Sequence, residues 1–186
     1  MSGYDWDVLE SKYIVKDEWL SLRVDRCQMP NGRLVEPYYV FEFPEWVNIV
    51  AVTNNDEVVL VRQYRHGIQK TGLELPCGVV TENDTSPIEA ARRELLEEVG
   101  YISKDFIETG RISANPANHT NLTHCFLAID ATPAATPQLD DTEQIGVFLT
   151  PLREVIELIE EGDIFQALHI SSILLALKKL GKIHWK

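Results

Sequence analysis

Residues 78–101 read GVVTENDTSPIEAARRELLEEVGY, and this stretch decides how the rest of the chain is interpreted. Its second half carries apolar residues three and four positions apart, which is the period of one helix face. These apolar residues are Ile88, Ala91, Leu95 and Val99. Thr85 or Ser86 is a suitable N-cap before Pro87, and Gly100 predicts the end of the helix.

Three glutamates on this predicted helix project from one face. Glu94, Glu97 and Glu98 stand at positions i, i+3 and i+4. Like charges at this spacing repel one another, and the helix dipole disfavours anions near a helix C-terminus. A divalent cation shared by the three carboxylates would offset both effects, because such cations prefer oxygen ligands. A solvated acidic surface is the alternative, and the pattern alone leaves both open.

Runs of β-prone residues and turns surround the helix. Before it they span residues 13–15, 20–27, 35–43, 47–53, 57–64 and 73–75. Residues 54–56 (NND) predict a hairpin between the fourth and fifth of these runs, and residues 29–32 (MPNG) predict another turn. After the helix, strands are predicted over 106–113, 124–129 and 146–149, and helices over 150–160 and 166–180. Many strands with few helices predict an α+β fold or a mixed sandwich.

Composition limits the kind of protein. The chain has 186 residues, the size of one domain, and lacks an apolar run of the roughly 18–20 residues that cross a membrane. Its first residues carry acids and no apolar leader, so we expect a cytoplasmic protein without a membrane partner. The net charge of −12, without a strong basic cluster, argues against a nucleic-acid partner. Three cysteines without a CxxC pair predict neither a disulfide framework nor a zinc ribbon.

Residues 93–101, RELLEEVGY, match the pattern Arg-Glu-aliphatic-any-Glu-Glu-any-Gly-aliphatic at every fixed position. This pattern is the core of the Nudix box, and the chain resembles the Nudix hydrolases. The resemblance extends to VRQYRHG (61–67), LELPCG (73–78), NPANHTNLTHCFLA (115–128) and DTEQI (141–145). It implies a Nudix-type α/β/α sandwich with a mixed β-sheet and an additional N-terminal β region. The implied domains are residues 1–45, a β region for dimerisation, and residues 46–186, the Nudix domain.

The resemblance also implies an activity. Nudix hydrolases cleave a nucleoside diphosphate linked to another moiety, and they use Mg²⁺ or Mn²⁺ to activate the attacking water. Carried over residue by residue, Glu94 and Glu98 are the principal metal ligands, Glu97 completes the cluster, and the backbone carbonyl of Cys77 is a further ligand. Glu97 and Glu98 are also the expected catalytic residues. The structural positions of the motif are Gly78, Arg93 and Gly100.

The chain departs from the full Nudix box in one respect. Gly78 stands one place too early, and Thr85 occupies the position of the leading glutamate. In the family that glutamate ties the loop to the helix through the box arginine, here Arg93. Asp84 or Glu82 is expected to take its place. The departure leaves an alternative function open, a weak or inactive Nudix-fold module that binds a nucleotide without hydrolysing it.

Two features indicate a substrate class. Pro116 stands sixteen residues beyond Gly100, as in the ADP-ribose pyrophosphatases of the family, which implies ADP-ribose or a related nucleoside diphosphate sugar. In those enzymes an arginine of the VRQYR segment faces the substrate, so Arg62 and Arg65 are candidate binding residues. Their odd separation places them on opposite faces of a regular strand, so we expect one of them to reach the site. An exposed ion pair is the alternative role for either arginine.

Two further expectations follow from the resemblance. Related enzymes place a catalytic carboxylate in a late loop, which corresponds here to Glu143, with Asp141 as competitor and a solvated loop as the alternative. Related pyrophosphatases are homodimers whose N-terminal strands pack on the partner, and we expect a homodimer here. The N-terminal region is rich in aromatic residues that suit such an interface. They include Trp6, Trp19, Tyr38 and Tyr39.

Overall fold

The computed structural model describes residues 3–17, 20–139 and 144–183. The chain forms two compact units, one of residues 1–44 with 113–121 and one of residues 45–112 with 122–186. The predicted domains were residues 1–45 and 46–186. The N-terminal unit also contains residues 113–121, with Pro116, which the prediction had assigned to the second domain. Three residues that carry predictions lie outside the described part of the chain. They are Trp19, Asp141 and Glu143.

Strands make up most of the regular structure of the described residues. Their bounds are β1 (Asp7–Lys16), β2 (Ser21–Gln28), β3 (Leu34–Glu42), β4 (Trp46–Ala51), β5 (Glu57–Arg65), β6 (Lys70–Glu74), β7 (Cys77–Val79), β8 (Tyr101–Ile102), β9 (Asp105–Ile112), β10 (Thr123–Ile129), β11 (Thr132–Pro133) and β12 (Gly146–Pro151). The helices are α1 (Pro87–Val99), α2 (Val155–Glu160) and α3 (Ala167–Lys179). A 3-10 turn over Leu152–Glu154 precedes α2, so the predicted second helix is present but begins as a tighter turn. None of these helices is long and apolar enough to span a membrane.

The N-terminal unit contains an antiparallel sheet in the order β1-β2-β3. Gly32, at φ 83°, closes the turn between β2 and β3, and its N–H donates to the Met29 carbonyl at 2.8 Å. The turn predicted at residues 29–32 is therefore confirmed. β1 is a ten-residue edge strand whose side chains are exposed along nearly its whole length. Edge strands of this kind are usually covered or paired.

Helix α1 forms where the apolar period predicts it. Ser86 is its N-cap residue, although its side chain makes no capping hydrogen bond, and Pro87 stands at the start. Gly100 ends the helix at φ 72°, and its N–H donates to the Leu96 carbonyl at 2.9 Å. A Cβ atom on Gly100 would lie 2.1 Å from the Ala135 carbonyl oxygen. Both the backbone conformation and the available space therefore require glycine.

A four-stranded sheet in the order β7-β4-β10-β9 lies between helices α1 and α3. β10 runs parallel to β4 and antiparallel to β9, so the sheet is mixed. Alternate residues of β4 separate two apolar cores. Val47, Ile49 and Ala51 pack with α1, whereas Val50 packs in the core that contains α3. The predicted α+β class and the α/β/α sandwich with a mixed sheet are confirmed.

The hairpin predicted between the runs 47–53 and 57–64 is wrong. β4 and β5 follow each other in the chain but belong to different sheets, and they share a single antiparallel bridge between Val52 and Val58. β4 lies between β7 and β10, whereas β5 lies between β12 and β6. Because each strand already has a neighbour on both edges, the turn between them connects two sheets instead of closing a hairpin.

Candidate active site

The three glutamates of α1 line a groove beside strand β7. Glu98 is buried, and its carboxylate accepts a hydrogen bond from the Cys77 N–H at 2.9 Å. The Glu94 side chain is 14% exposed and lies against Gly78, whereas the Glu97 side chain is 45% exposed. All five residues line a cavity of about 610 Å³, which we call the acidic groove. Helix spacing thus produces the cluster, and the neighbouring strand makes Glu98 its buried member.

Gly78 allows β7 to approach the cluster. A Cβ atom built on it would lie 2.1 Å from the Cδ atom and from one carboxylate oxygen of Glu94. Any other residue would push the Glu94 carboxylate away from the backbone of β7. Gly78 does not have a positive φ. The site therefore needs glycine here because of the limited space beside Glu94, and not because of the backbone conformation.

Arg93 ties the loop before α1 to the acidic cluster. Its Nε and Nη2 atoms donate to the two carboxylate oxygens of Asp84 at 3.1 and 3.0 Å. Its Nη1 donates to Glu94 and Glu97 at 2.8 and 2.9 Å, and Nη2 also donates to the Val79 carbonyl at 3.0 Å. One guanidinium therefore offsets repulsion between two of the glutamates and fixes the loop against the helix.

Asp84, and not Glu82, lies opposite Arg93. The Asp84 side chain is 6% exposed and also accepts bonds from the N–H and the hydroxyl of Thr81, both at 2.8 Å. The bonds from Arg93 hold the pKa of the Asp84 carboxyl well below its usual range, and those from Thr81 add to the effect. The same pair raises the pKa of Arg93. A shorter acid one position before Thr85 thus ties the loop to the helix.

We expect the substitution Asp84→Asn to lower the free energy of unfolding by about 1–2 kcal/mol at neutral pH, because it weakens two charge-assisted hydrogen bonds to Arg93. The contribution of a carboxyl with a depressed pKa is present above the unfolded pKa of about 4 and is lost as the pH falls further. Urea denaturation at about pH 7 and about pH 3 measures both effects. Exposed Glu82 offers the matched control Glu82→Gln, and equal losses in the two variants would contradict the assignment.

The donor set of the acidic groove fits a divalent cation. Glu94, Glu97 and Glu98 offer the carboxylate oxygens that hard cations such as Mg²⁺ prefer. The Cys77 peptide lies beside this set, since its N–H donates to Glu98 at 2.9 Å. Three carboxylates at this spacing repel one another, and a bound cation would offset that repulsion. The predicted ligand role of the Cys77 carbonyl stays a prediction.

A second cavity, of about 330 Å³, adjoins the acidic groove, and Cys77 and Glu98 line both. Arg65 forms part of its wall, and its Nε and Nη2 donate to the two oxygens of Glu74 at 2.9 and 2.6 Å. Glu74 is fully buried, so the pair holds the guanidinium in one orientation and raises the pKa of Arg65. We call this space the His169 cavity, after another residue of its wall.

The two candidate arginines lie in different places. Arg65 lines the His169 cavity, whereas the Arg62 guanidinium lies 4.5 Å from the centroid of the Phe148 ring. Phe148 is a partly exposed residue of β12, the strand that pairs with β5. Of the two arginines, Arg65 is the one beside the acidic groove, and a substrate role for either stays a prediction.

His169 lines its cavity in a fixed tautomer. The Leu75 N–H donates to Nδ1 at 2.9 Å, and burial lowers the pKa of His169 to about 4, so the neutral ring carries its proton on Nε2. Among the described residues, Glu74, Cys77 and His169 have potential metal-ligand atoms within 4.8 Å of one another. A protonated Nε2 cannot coordinate a metal, and Arg65 already occupies Glu74. Burial raises the pKa of the Cys77 thiol and so disfavours the thiolate form that binds metals. The acidic groove is therefore the better metal site.

We expect acidification to weaken the fold through His169. An unfolded histidine has a pKa of about 6.5, whereas burial lowers the native value to about 4. The contribution is fully present above about pH 6.5. Between the two values the unfolded chain takes up a proton that the native ring does not, so the free energy of unfolding falls by up to about 3 kcal/mol.

The variant His169→Asn isolates this term, because asparagine keeps an oxygen for the Leu75 N–H but does not titrate. We expect the free energy of unfolding of the variant to lack this part of the pH dependence. Urea denaturation between about pH 4 and about pH 7 measures the difference. Parallel pH profiles for the two proteins would show that His169 titrates normally.

No sequence pattern assigned a role to Glu74 or His169. Each is a polar residue with apolar neighbours on both sides, LEL for Glu74 and LHI for His169. Such a residue is usually buried together with a partner, and that signal could have marked both. The partners could not be predicted from the sequence, because Leu75 and His169 are separated by 94 positions in the chain.

The roles of two further predicted site residues, Pro116 and Glu143, also stay predictions. Pro116 lies in a turn of the N-terminal unit, where the Asn118 N–H donates to the Asn115 carbonyl at 3.2 Å. Its value as a substrate marker stays a prediction. Glu143 and its competitor Asp141 lie outside the described residues, so the late-loop carboxylate also stays a prediction.

Comparison with known families places this geometry in context. The family model of the NUDIX domain matches residues 43–169, which is more than half of the chain. The chain belongs to the Nudix family. A second model, the nucleoside diphosphate sugar hydrolase N-terminal domain, matches residues 6–41. The predicted family relationship is confirmed, and Nudix hydrolases generally use divalent metal ions.

Individual relatives of this Nudix protein match over most of its length. An ADP-ribose pyrophosphatase of Bacillus subtilis (strain 168) is 29% identical over 165 residues, which cover 86% of this chain and 88% of the relative. The ADP compounds hydrolase NudE of Escherichia coli (strain K12) is 29% identical over 142 residues, which cover 75% of each chain. A crystal structure of an ADP compounds hydrolase superposes with a TM-score of 0.83 at 25% identity, covering 96% of this chain and 97% of that one.

Proposed function

We propose that this Nudix protein hydrolyses the diphosphate bond of ADP-ribose or a related nucleoside diphosphate sugar, with Mg²⁺ or Mn²⁺ in the acidic groove. The observation that carries the proposal is the cluster of Glu94, Glu97 and Glu98 against Gly78 in a chain of this family. The names of the relatives suggest the substrate class. The products are a nucleoside monophosphate and a sugar phosphate. No observation favours the alternative, an inactive nucleotide-binding module.

The residues of the acidic groove have different proposed roles. A bound divalent cation would lower the pKa of a water molecule and neutralise phosphate oxygens. Glu94 and Glu98, with the Cys77 carbonyl, would hold the cation, and Glu97 would complete the cluster. Arg93 orients the glutamates through its hydrogen bonds, and we expect it not to contact the substrate.

The substrate side of the site is supported by Arg65. Glu74 fixes its guanidinium beside the acidic groove, and the N–H groups that Glu74 does not use suit a phosphate oxygen. Arg62, which packs on Phe148, is the weaker candidate. Glu143, which corresponds to the late-loop carboxylate of related enzymes, is the proposed base that would accept a proton from the attacking water.

Purified protein incubated with ADP-ribose, and separately with GDP-mannose, tests the proposal. We expect phosphomonoester to be released from at least one of them in Mg²⁺ or Mn²⁺, and the release to stop when EDTA removes the metal. Binding of the nucleotide sugars without any turnover, at saturating metal, would support the inactive module instead. Turnover that continues in EDTA would reject the metal mechanism.

We further propose that the protein is a homodimer through its N-terminal unit. β1 is exposed along nearly its whole length, and several of its exposed side chains are large and apolar. They are Val8, Leu9, Tyr13 and Ile14. A long apolar edge strand is a hazard in a monomer, and a second copy would both cover it and pair with it.

Sedimentation equilibrium tests the dimer. We expect twice the chain mass for the parent protein and a monomer for Ile14→Asp, because a buried charge opposes the interface. Ile68 is 59% exposed in the other unit, and Ile68→Asp is the matched control that should remain dimeric. A parent protein that sediments as a monomer at micromolar concentration would reject the proposal.

A further inference from the structure

The His169 cavity contains a buried hydrogen-bond donor without a partner. The Nε2 atom of His169 is buried and has no hydrogen-bond partner among the described residues. The Oε2 atom of Glu74 is 4.0 Å away and already accepts from Arg65 at 2.6 Å. The ring cannot turn over to remove the donor, because Nδ1 accepts the Leu75 N–H. A buried N–H of this kind is rare and calls for a partner from outside the chain.

The cavity offers neutral polar groups more than charge. Its positive group, Arg65, is paired with Glu74 and has its remaining N–H groups assigned above to a phosphate oxygen, and its negative group, Glu98, faces the acidic groove as well. The other polar side chains of the wall include the amides of Asn48, Gln63 and Gln166, of which Asn48 donates to Ser172 and Gln166 accepts from the His169 N–H. Amides and a neutral imidazole N–H complement hydroxyl and ring oxygens, whereas a second anion would need an unpaired cation.

The size and position of the cavity also limit its occupant. Its volume of about 330 Å³ stands at the lower end of the range of small-molecule sites, roughly 300–1,000 Å³. A single sugar ring suits this space better than a whole nucleotide. Cys77, Gly78, Val79 and Glu98 line both the cavity and the acidic groove. A diphosphate at the glutamates would therefore bring its attached group to the cavity mouth.

Given the function proposed above, we propose that the His169 cavity binds the sugar carried by the second phosphate, and that the Nε2–H of His169 donates a hydrogen bond to an oxygen of that sugar. His169 is then a specificity residue. It selects for an oxygen acceptor at one place in the leaving sugar phosphate. The Leu75 N–H fixes the tautomer, so the donor is ready before the substrate arrives.

The variant His169→Asn tests the donor, because it keeps an acceptor for the Leu75 N–H and has no group at the place of Nε2. Two substrates are compared, ADP-ribose and the ethyl ester of ADP on its second phosphate, which has the same adenosine diphosphate but an ethyl group in place of the second sugar. We expect kcat/KM to fall about tenfold for ADP-ribose and to change less than about twofold for the ester. Equal losses for both substrates, or no loss for ADP-ribose, would overturn the assignment. The exposed His66 supplies the matched control His66→Asn, for which both values should be unchanged.

A second measurement requires neither turnover nor a folded variant. In the ¹⁵N-labelled parent protein, the Nε2–H signal of His169 is assigned through the couplings of its own ring. We expect it to shift when ribose 5-phosphate is added and to stay in place with inorganic phosphate. A shift with both ligands, or with neither, would overturn the sugar site. If neither ADP-ribose nor GDP-mannose is hydrolysed, the proposed function fails, and this titration still decides the role of the cavity.

Discussion

The Glu98→Gln variant is expected to hydrolyse ADP-ribose about 100-fold or more slowly than the parent protein while folding normally. Glu98 is the buried member of the cluster and lies at the Cys77 peptide, so it is the carboxylate most enclosed by the proposed metal site. Glutamine keeps an oxygen for the Cys77 N–H but removes the charge that would bind the cation. Loss of metal binding removes several kcal/mol of stabilisation from the transition state.

Three measurements separate this effect from misfolding. The free energy of unfolding in EDTA should be unchanged or higher, because one of three mutually repelling charges has gone. The Mg²⁺ concentration that gives half-maximal rate should rise. Glu89→Gln, on the same helix, is the matched control. The Glu89 side chain is 52% exposed, and its ion pair among the described residues is with Arg92, at 3.5 Å. Full activity in Glu98→Gln would remove the proposed mechanism.

The Gly78→Ala variant is expected to lose about 100-fold in kcat/KM with little change in stability. The new Cβ would lie 2.1 Å from the Cδ atom of Glu94, so the carboxylate must move by an ångström or so. The side chain of Glu94 is flexible at its far end, so the fold can absorb this movement. A misplaced ligand, however, weakens the metal site and disturbs the bond from Arg93.

Calorimetric titration with Mn²⁺ and thermal unfolding in EDTA distinguish the two consequences. Mn²⁺ affinity should fall about 10- to 100-fold, and the melting temperature of the metal-free protein should change by only a few degrees. Gly67→Ala is the matched control, because a Cβ atom on Gly67 meets nothing within 4 Å. Unaltered Mn²⁺ affinity in Gly78→Ala would show that Glu94 does not bind the metal.

The local sequence pattern was sufficient to predict α1 and its acidic face. The apolar period, Pro87 and Gly100 act over a few residues, so the helix and the shared face of Glu94, Glu97 and Glu98 could be predicted directly. The opposite orientation of Arg62 and Arg65 followed from strand alternation in the same way. Both predictions depend only on geometry within one element.

Pairing between strands could not be predicted so easily. The runs that became β4 and β5 have the pattern of a hairpin, but each is central in its own sheet. Burial on both faces makes such strands equally apolar whichever neighbour they have, so the sequence carries little information about the partner. The prediction of a hairpin therefore failed, although both strands were found.

The amino-acid sequence by itself determined the family, the acidic helix and the glycine that ends it, because these depend on residue types at fixed spacing. Only the tertiary structure decided that Asp84 and not Glu82 binds Arg93, and that Glu98 is the buried glutamate. It also joined His169 to Leu75 across the core. Such contacts depend on the path of a loop and on which surfaces of distant elements meet. The spacing of residues within one segment of the chain predicts neither of these.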